Sequence, residues 1–590
     1  MIYNAQYYPT SSSCFPITIV LTQKQIILNA FTPKNFQKKI NFDNCFGLTY
    51  SKDDLRTKGT LKNVSDYIPF LLKAPSQTEI DNLKENDNIT YTTITIHSLD
   101  IPDNNRLNSN NDYEEYTISF ENAKNANEFY NNLKKKLTIK EDRHILCILN
   151  PMSGNKKSLT VYNELIVPMF TIANITSELK QTKYQSHCEE IAFNLNLDNY
   201  DGICTVSGDG LFHELLNGLL SRDDWEKARY LPIGLINSGT SNALNINFDI
   251  TTSLHSILNV IKGNEVQFDI LRASQGNRVF FGHLSLSWGV MADIDIQSDR
   301  YRLIGKYKYY LAGMFRIIFV NKYHGNLYYL SEDSKVEPAY EITNEHEANK
   351  AEREKIRLER LNMKKNTNKE MKKASSSDTV NGNEQIINDE VKMSKSNETL
   401  NNLDSGSVTN KLFNSKYNKD HIGLGPKARY TNDDQVTEEN LKKNWEHVEM
   451  NFTSFSACNY PFLASDMLFA PEANPQDGMI DIIYTDTLKV YNIMLDDGHG
   501  TYYKGKDNYH VKRTKAFILI PDNTKTGEGG EFGVGLVDSK GNKDLNHGIF
   551  DLDGEIMPYE PVRIEILPQF QNIFAPIGMD MNCMGRTIRK

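Results

Sequence analysis

The pattern of apolar and polar positions changes twice along the chain. In the first part, short runs such as YTTITIHSL and EYTISF alternate between apolar and polar residues, which predicts β-strands. The run ENAKNANEFYNNLKKKL follows, and Ala126, Phe129, Tyr130 and Leu133 share one face of the helix that it predicts. We therefore predict a β-rich N-terminal module at residues 1–140, closed by a helix.

Continuous apolar runs replace this alternation from residue 144. HILCILN, DGICTVS and LPIGLIN each lead into a polar turn and then into a helical pattern. Repeated strand, turn and helix predict a parallel sheet with helices on its faces, and such sheets bind ligands at the carboxyl ends of their strands. Residues 141–267 are therefore predicted to form an α/β nucleotide-binding domain.

Short, regularly spaced strands return after residue 268, as in RVFFGHLSLSWG, GNLYYL and MIDIIYT. They predict an antiparallel β-sandwich domain over 268–590. Residues 332–440 interrupt it with a composition rich in Lys, Glu, Asn and Ser, which predicts a disordered insertion. The fold class is thus α/β, with a parallel-sheet domain, a β-sandwich domain and a β-rich N-terminal module that resembles a pleckstrin-homology-like module in architecture.

Composition and charge narrow the function classes. The 590 residues are too many for one core and predict roughly three to four domains. A net charge of −10 argues against nucleic acid as a partner. The 7 cysteines include no CxxC pair, which predicts free thiols in a reducing compartment. The N-terminus lacks a basic region and no apolar run reaches about 18 residues, so we expect a cytoplasmic protein that meets membranes only peripherally.

Three polar turns on consecutive predicted strands carry the candidate chemistry. Ser207-Gly208-Asp209-Gly210 precedes an apolar helix, NPMSGNKKS begins at Asn150, and NSGTSNAL spans 237–244. Glycines let the backbone approach phosphates, and the N–H groups at a helix N-terminus favour anions. No GxxxxGK[ST] sequence is present, which excludes a P-loop. Taken singly, the GDG turn also fits an ordinary helix cap, and NPMSGNKK fits a polar surface turn.

Taken together and in order, these motifs resemble a known family. The set comprises NPMSG, the pair Thr182 and His187, SGDGLFHELLNGL, GTSNAL, WGVMADIDIQSDRYRLIGKYKY, LFAPEANPQDGMIDIIY and DLDGE. It is similar to the diacylglycerol-kinase catalytic superfamily over 141–330 and 445–565. Within the superfamily, SRDDWEKA and WG…ADID favour the sphingosine kinases. The resemblance implies a kinase that uses ATP and Mg²⁺ to phosphorylate the primary hydroxyl of sphingosine or a related sphingoid base, giving sphingosine 1-phosphate.

The resemblance also implies roles for individual residues. Asp209 would be the general base for the lipid hydroxyl, and Asp295 would recognise the substrate's head group. The residues expected around ATP are Asn150, Thr182, Ser207, Gly208, Gly210, Glu214, Gly239, Thr240, Asn242, Arg302, Lys308, Asp553 and Glu555. No metal ligand is assigned. A lipid substrate, a peripheral membrane surface and a homodimer contact are the partners expected.

Three positions depart from the family pattern. Asn237 and Ser241 stand where proline and a second glycine are usual, and Ser153 replaces a common glycine. Serine does not adopt positive φ as readily as glycine, so we expect altered local geometry around the phosphates. The alternatives are a ceramide or diacylglycerol kinase on the same scaffold, a catalytically inactive lipid-binding adaptor, and a metabolite kinase related to NAD kinase.

Overall fold

The structure of the chain is a computed structural model, and the description below covers a defined set of residues. These are 1–10, 13–30, 36–51, 92–99, 113–120, 123–137, 139–152, 156–239, 242–298, 322–375, 425–464, 467–487, 500, 502–503, 506–526 and 548–579.

The described part of the N-terminal module is an antiparallel sheet closed by a helix. Its strands are β1 Ile2–Thr10, β2 Ser13–Leu21, β3 Gln25–Ala30, β4 Phe36–Asn41, β5 Cys45–Ser51, β6 Thr92–Leu99 and β7 Tyr113–Phe120, with a short 3-10 helix at Phe42–Asn44. They pair in the order β4-β3-β2-β1-β7-β6-β5. Helix α1, Ala123–Lys136, packs Ala126, Phe129 and Leu133 into the core of this sheet. The strands and the closing helix agree with the sequence pattern, and the pleckstrin-homology-like identity stays a prediction.

Four parallel strands form the next layer, in the order β9-β8-β10-β11. They are β8 His144–Leu149, β9 Thr176–Gln181, β10 Gly202–Ser207 and β11 Ile233–Asn237. The helices between and after them are α2 Ser158–Val161, α3 Val167–Ile172, α4 His187–Phe193, α5 Asp209–Leu220, α6 Trp225–Ala228, α7 Ala243–Asn247 and α8 Ser253–Lys262, with a π-turn at Tyr162–Ile166 and a 3-10 turn at Leu197–Asn199. Apolar residues fill both faces of this sheet, as the continuous apolar runs predict.

The remaining strands add an antiparallel half. They are β12 Glu265–Gln275, β13 Arg278–Gly282, β14 Ser285–Gly289, β15 Tyr323–Tyr329, β16 Glu446–Phe452, β17 Ser454–Cys458, β18 Phe462–Ala464, β19 Met467–Leu468, β20 Ile480–Thr485, β21 Tyr509–Thr514, β22 Ala516–Thr526, β23 Phe550–Leu552, β24 Glu555–Met557 and β25 Val562–Phe574. The helices here are α9 Val290–Ser298, α10 His346–Ser375 and α11 Glu438–Asn444.

Strand β25 joins the two halves, because it pairs parallel with β11 and antiparallel with β12 and β22. The parallel strands therefore continue into β25, β22, β15 and β16 as one sheet, while β21-β20-β17-β14-β23-β24 form a second. A core that includes Trp288, Phe452, Phe455 and Phe517 draws its residues from strands of both sheets. The mixed α/β class is confirmed, and the domain boundaries at 140 and 267 stay predictions.

The described ends of the predicted insertion at 332–440 differ from the expected disorder. Residues 346–375 form α10, whose Arg353 and Arg360 pair with Glu265 and Asp201. At the other end, the Tyr430 and Thr431 side chains are buried. Average composition misleads here because spaced arginines find carboxylate partners elsewhere in the chain.

Membrane-spanning helices and the state of the cysteines are the two remaining features that the sequence addresses. In the ranges given above, no helix has both the length and the apolar character needed to cross a membrane. Five cysteines whose side chains are described, Cys45, Cys147, Cys188, Cys204 and Cys458, are buried free thiols.

Candidate active site

The carboxyl ends of the four parallel strands meet at one edge of the sheet. Leu149 at the end of β8 pairs in register with Gln181 of β9 and with Val206 of β10. Ser207 at the end of β10 pairs with Asn237 at the end of β11. The predicted turns therefore leave the sheet at the same edge, as expected for a ligand site in a parallel sheet.

Asp209 is the first residue of α5 and is buried, with 6% of its surface exposed. The N–H of Ala243 donates to its Oδ2 at 2.8 Å and the N–H of Leu244 donates to its Oδ1 at 3.3 Å. The carboxylate thus joins the turn after β10 to the first residues of α7. Burial raises the pKa of Asp209, whereas His283 and these two N–H groups act to lower it. A fixed carboxyl group with a raised pKa is suited to accept a proton.

The turn after β10 and the turn after β11, the second and third of the three predicted turns in chain order, touch through glycines. A Cβ added to Gly239 would lie 2.7 Å from the nitrogen of Gly208, so this contact requires glycine. The N–H groups of Ser238 and Gly239 donate to the carbonyl of Ser207, each at 3.2 Å. The amide of Asn242 donates to the carbonyl of Gly239 at 2.9 Å, which fixes the far end of the third turn.

The turn after β8 is joined to the turn after β11 through hydroxyl groups. The side-chain oxygen of Asn150 accepts the N–H of Met152 at 2.9 Å, forming a local turn after β8. Ser158 and Ser238 lie with their hydroxyl oxygens 3.0 Å apart. Thr182, which follows β9, is buried at the same edge. Local sequence patterns do not predict the Ser158–Ser238 contact, although Ser158 ends the run NPMSGNKKS.

Two glutamates behind the turns have pKa values near neutrality. Glu214 on α5 accepts the N–H of Cys188 at 3.1 Å, which ties α5 to α4. Burial raises the pKa of Glu214 to about 7, and burial likewise raises the pKa of Glu189 to about 7. Both carboxyls therefore change charge close to physiological pH.

The carboxylate of Asp553 has several partners within the protein, and its ATP-binding role stays a prediction. Its carboxylate accepts the N–H groups of His283 at 2.8 Å, Leu284 at 2.9 Å and Ser285 at 3.0 Å. Nδ1 of His213 lies 3.1 Å from Oδ2. These donors engage the carboxylate inside the protein, so its side chain joins α5 to the start of β14.

Glu555 lies closer to the turn that carries Asp209. Its Oε1 would be 3.5 Å from a Cβ built on Gly210. Of Asp553 and Glu555, the two acids of the DLDGE motif that were predicted to bind ATP, Glu555 is therefore the one beside Gly210.

Several predicted site residues lie outside the described set, namely Ser153, Thr240, Ser241, Arg302 and Lys308. Asp295 lies within α9, but its side chain is not described. Among the residues that are described, no three His, Cys, Asp or Glu side chains are grouped so as to hold a metal ion. The ATP, metal and head-group roles therefore stay predictions.

Known proteins resemble this chain over much of its length. Residues 144–273 match the diacylglycerol kinase catalytic domain. Sphingosine kinase 1 of Arabidopsis thaliana is 26% identical over 457 residues, covering 74% of this chain and 76% of that protein. Sphingoid long chain base kinase 4 of Schizosaccharomyces pombe is 25% identical over 449 residues, covering 75% and 76%. A crystal structure of a putative diacylglycerol kinase from Bacillus anthracis str. Sterne aligns with 12% identity and a TM-score of 0.43, covering 74% of this chain and 97% of that one.

The matched segment 144–273 contains the parallel strands β8–β11, the three turns and Asp209. The sphingosine kinase relatives extend the similarity into the antiparallel half, since they cover about three quarters of the chain. The chain therefore contains a segment that matches the diacylglycerol kinase catalytic domain, is similar over about three quarters of its length to sphingosine and sphingoid long chain base kinases, and is an ATP-dependent lipid kinase.

Proposed function

We propose that the protein transfers the γ-phosphoryl group of ATP to the primary hydroxyl of sphingosine or a related sphingoid base, giving sphingosine 1-phosphate. The observation that carries the proposal is the position of Asp209, a buried carboxyl group with a raised pKa, between two touching glycine turns. The relatives named sphingosine kinases support the choice of substrate.

In the proposed reaction, Asp209 takes the proton of the lipid hydroxyl. The hydroxyl oxygen attacks the γ-phosphorus of ATP, and ADP leaves. Phosphoryl transfer depends mainly on positioning and on neutralising charge. The N–H groups at the start of α5 and the charges of Arg302 and Lys308 would serve ATP, which would enter as its Mg²⁺ complex. Mg²⁺ is commonly held by substrate phosphates and one or two carboxylates, so it does not require a cluster built by the protein alone.

We assign recognition of the lipid ammonium group to Asp295 on α9. A sphingoid base carries this positive charge beside its reacting hydroxyl, ceramide masks it as an amide, and diacylglycerol has none. A carboxylate near the ammonium would pair with it, whereas a neutral lipid would leave the carboxylate desolvated and unpaired. We also propose that the protein meets its substrate as a peripheral membrane protein in the cytoplasm, where it could form a homodimer.

The test compares sphingosine, ceramide and diacylglycerol with the purified full-length chain and labelled ATP. We expect phosphorylation of sphingosine alone, and an Asp295→Asn variant with a raised KM for sphingosine and an unchanged KM for ATP. Equal wild-type rates on sphingosine and short-chain ceramide would contradict both the substrate and the role of Asp295. A chain that shows no activity and no thermal stabilisation by ATP would be an inactive adaptor.

A further inference from the structure

Asn237 is the last residue of β11, where the strand gives way to the turn that contains Gly239. Its backbone N–H donates to the hydroxyl of Ser256 at 3.2 Å. Its carbonyl oxygen accepts a hydrogen bond from the hydroxyl of Ser253. Both serines lie in the first turns of α8, so both backbone polar groups of Asn237 are engaged by a single helix.

The first turns of α8 hold these hydroxyls in place. Ser256 is 1% exposed, and its hydroxyl donates to the carbonyl of Ser253 at 2.8 Å, which turns an oxygen lone pair toward Asn237. Thr252 caps the helix, because its hydroxyl accepts the N–H of His255 at 3.2 Å. The serines are thus parts of a fixed helix end.

The sheet itself gives the end of β11 little support on this side. Strand β10 pairs with β11 as far as Ser207 and Asn237. Within the described residues, β25 pairs with β11 only at Ile233, so α8 takes the place of a neighbouring strand beside Asn237. A backbone N–H left without an acceptor in this place would be costly.

The position of Asn237 controls the turn that follows. The N–H groups of the next two residues, Ser238 and Gly239, both bond the carbonyl of Ser207. Gly239 has almost no clearance from Gly208, which precedes Asp209. A shift at Asn237 would therefore alter how the two glycine turns meet, and with them the space available to phosphate groups.

We propose that Ser253 and Ser256 are positioning residues for Asn237–Gly239, the described start of the nucleotide turn. Their hydroxyls supply the restraint that a proline ring would supply at 237, since proline fixes φ near −65° and has no N–H to satisfy. This proposal rests on the proposed function, because it takes the turn to be part of an ATP site.

The experiment uses the full chain with Ser256→Ala, Asn237→Pro and the double variant. Ser119→Ala is the matched control: Ser119 is a buried serine in the N-terminal sheet, and its hydroxyl lies 2.8 Å from that of Thr93. We expect Ser256→Ala to raise the KM for ATP by about three- to tenfold, in line with the loss of one buried hydrogen bond. The KM for sphingosine and the kinetics of Ser119→Ala should not change.

The proline background separates positioning from a general structural effect. Once Asn237→Pro removes the N–H, Ser256→Ala should change the KM for ATP by less than about twofold, because coupled residues are not additive. An undiminished effect of Ser256→Ala in that background, or an Asn237→Pro variant unable to bind ATP, would overturn the proposed equivalence with proline.

Thermal stabilisation by Mg-ATP tells the two proposals apart. A wild-type chain that Mg-ATP does not stabilise would overturn the proposed function, and this inference with it. Stabilisation of wild type and of Ser256→Ala to the same extent and at the same ATP concentration would overturn this inference alone.

Discussion

Asp209 and Asp553 each precede a glycine, and both are buried. The hydrogen-bond partners and pKa values of the two carboxyl groups nevertheless differ. Asp209 accepts two backbone N–H groups, and burial raises its pKa. Asp553 accepts three and also contacts His213 and His283, which hold its pKa well below its usual range despite burial.

The difference shows that burial alone does not decide the state of a carboxyl group. The number of hydrogen-bond donors and the charge beside them decide it. Asp553 is stabilised as a fixed anion that joins distant segments, whereas Asp209 is held less strongly as an anion and is better suited to take up a proton. The following changes would test this contrast, from the largest expected effect to the smallest.

Replacing Asp209 by Asn should abolish turnover, because the amide cannot accept the proton of the lipid hydroxyl. Loss of a general base typically reduces kcat by about 10²–10⁴-fold. Single-turnover assays with sphingosine measure the loss, and circular dichroism checks the fold. Asp224→Asn, which removes a surface partner of Arg222, is the control. A variant that keeps more than half of the wild-type kcat would remove Asp209 from the role of base.

Replacing Asp553 by Asn should mainly affect stability. The change removes the charge that several donors surround, and breaking a buried charged contact of this kind typically costs about 3–5 kcal/mol of unfolding free energy. Urea unfolding at pH 7 measures the loss. Asp433→Asn at an exposed partner of Arg563 should cost less than about 1 kcal/mol. Equal losses in the two variants would refute the anchoring role of Asp553.

The stability lost in Asp553→Asn should depend on pH. Because the folded pKa of Asp553 is lowered, its contribution is present above the unfolded value of about 3.9 and is lost as the pH falls further. Burial acts to lower the pKa of His213, but Asp553 and nearby glutamates outweigh burial, so the folded pKa is raised. The contribution of His213 to stability is therefore present below about pH 6.5 and is lost as the pH rises through the folded pKa. The stability gap between wild type and Asp553→Asn should be widest between these two limits.

Local patterns predicted the place of Asp209 but not that of Asp553. The run from Gly202 to Leu220 contains a strand, a glycine turn and an apolar helix in sequence, so its geometry follows from neighbouring residues. The partners of Asp553 lie about 270 positions away, at His283, Leu284 and Ser285. No local periodicity reports such a contact, and the motif DLDGE alone suggested a nucleotide ligand.

The described ends of the predicted insertion differ from the expected disorder for the same reason. Glu565 on β25 is fully buried and accepts the N–H groups of Arg429, Tyr430 and Thr431. These partners are separated by about 135 positions in the chain, so composition over a local window cannot reveal them. Glu565 is thus a third buried carboxylate, held as Asp553 is held, by backbone donors from a distant segment.

Two deletions would extend the contrast to Glu565. Removing 332–440 leaves its carboxylate without these three donors, and we expect a loss of at least about 2 kcal/mol in unfolding free energy. Removing only 376–424 keeps the donors, and closing a shorter loop changes stability little. Urea unfolding and assays of sphingosine kinase activity should therefore distinguish the two deletion variants. A fully stable chain lacking 332–440 would show that the contacts of Glu565 are dispensable.

The smallest effect concerns how His283 influences both carboxyl groups. His283 lies 2.9 Å from Asp553 and, when protonated, lowers the pKa of Asp553 and of Asp209. His283→Gln should therefore raise the pKa of Asp209. Because the general base works in its deprotonated form, the acid limb of kcat/KM for sphingosine should move to higher pH, while the plateau at higher pH should stay close to that of wild type.

His213→Gln is the matched control for this shift. It also removes a histidine from Asp553, but His213 is not among the main groups that shift the pKa of Asp209, whereas His283 is. Both variants should lose stability through Asp553, so the profiles are measured well below their unfolding temperatures. An acid limb that moves equally in both variants would trace the shift to the loss of the Asp553 contact. A limb that moves only in His283→Gln would show that the charge near Asp209, and not the packing around Asp553, sets the state of the proposed base.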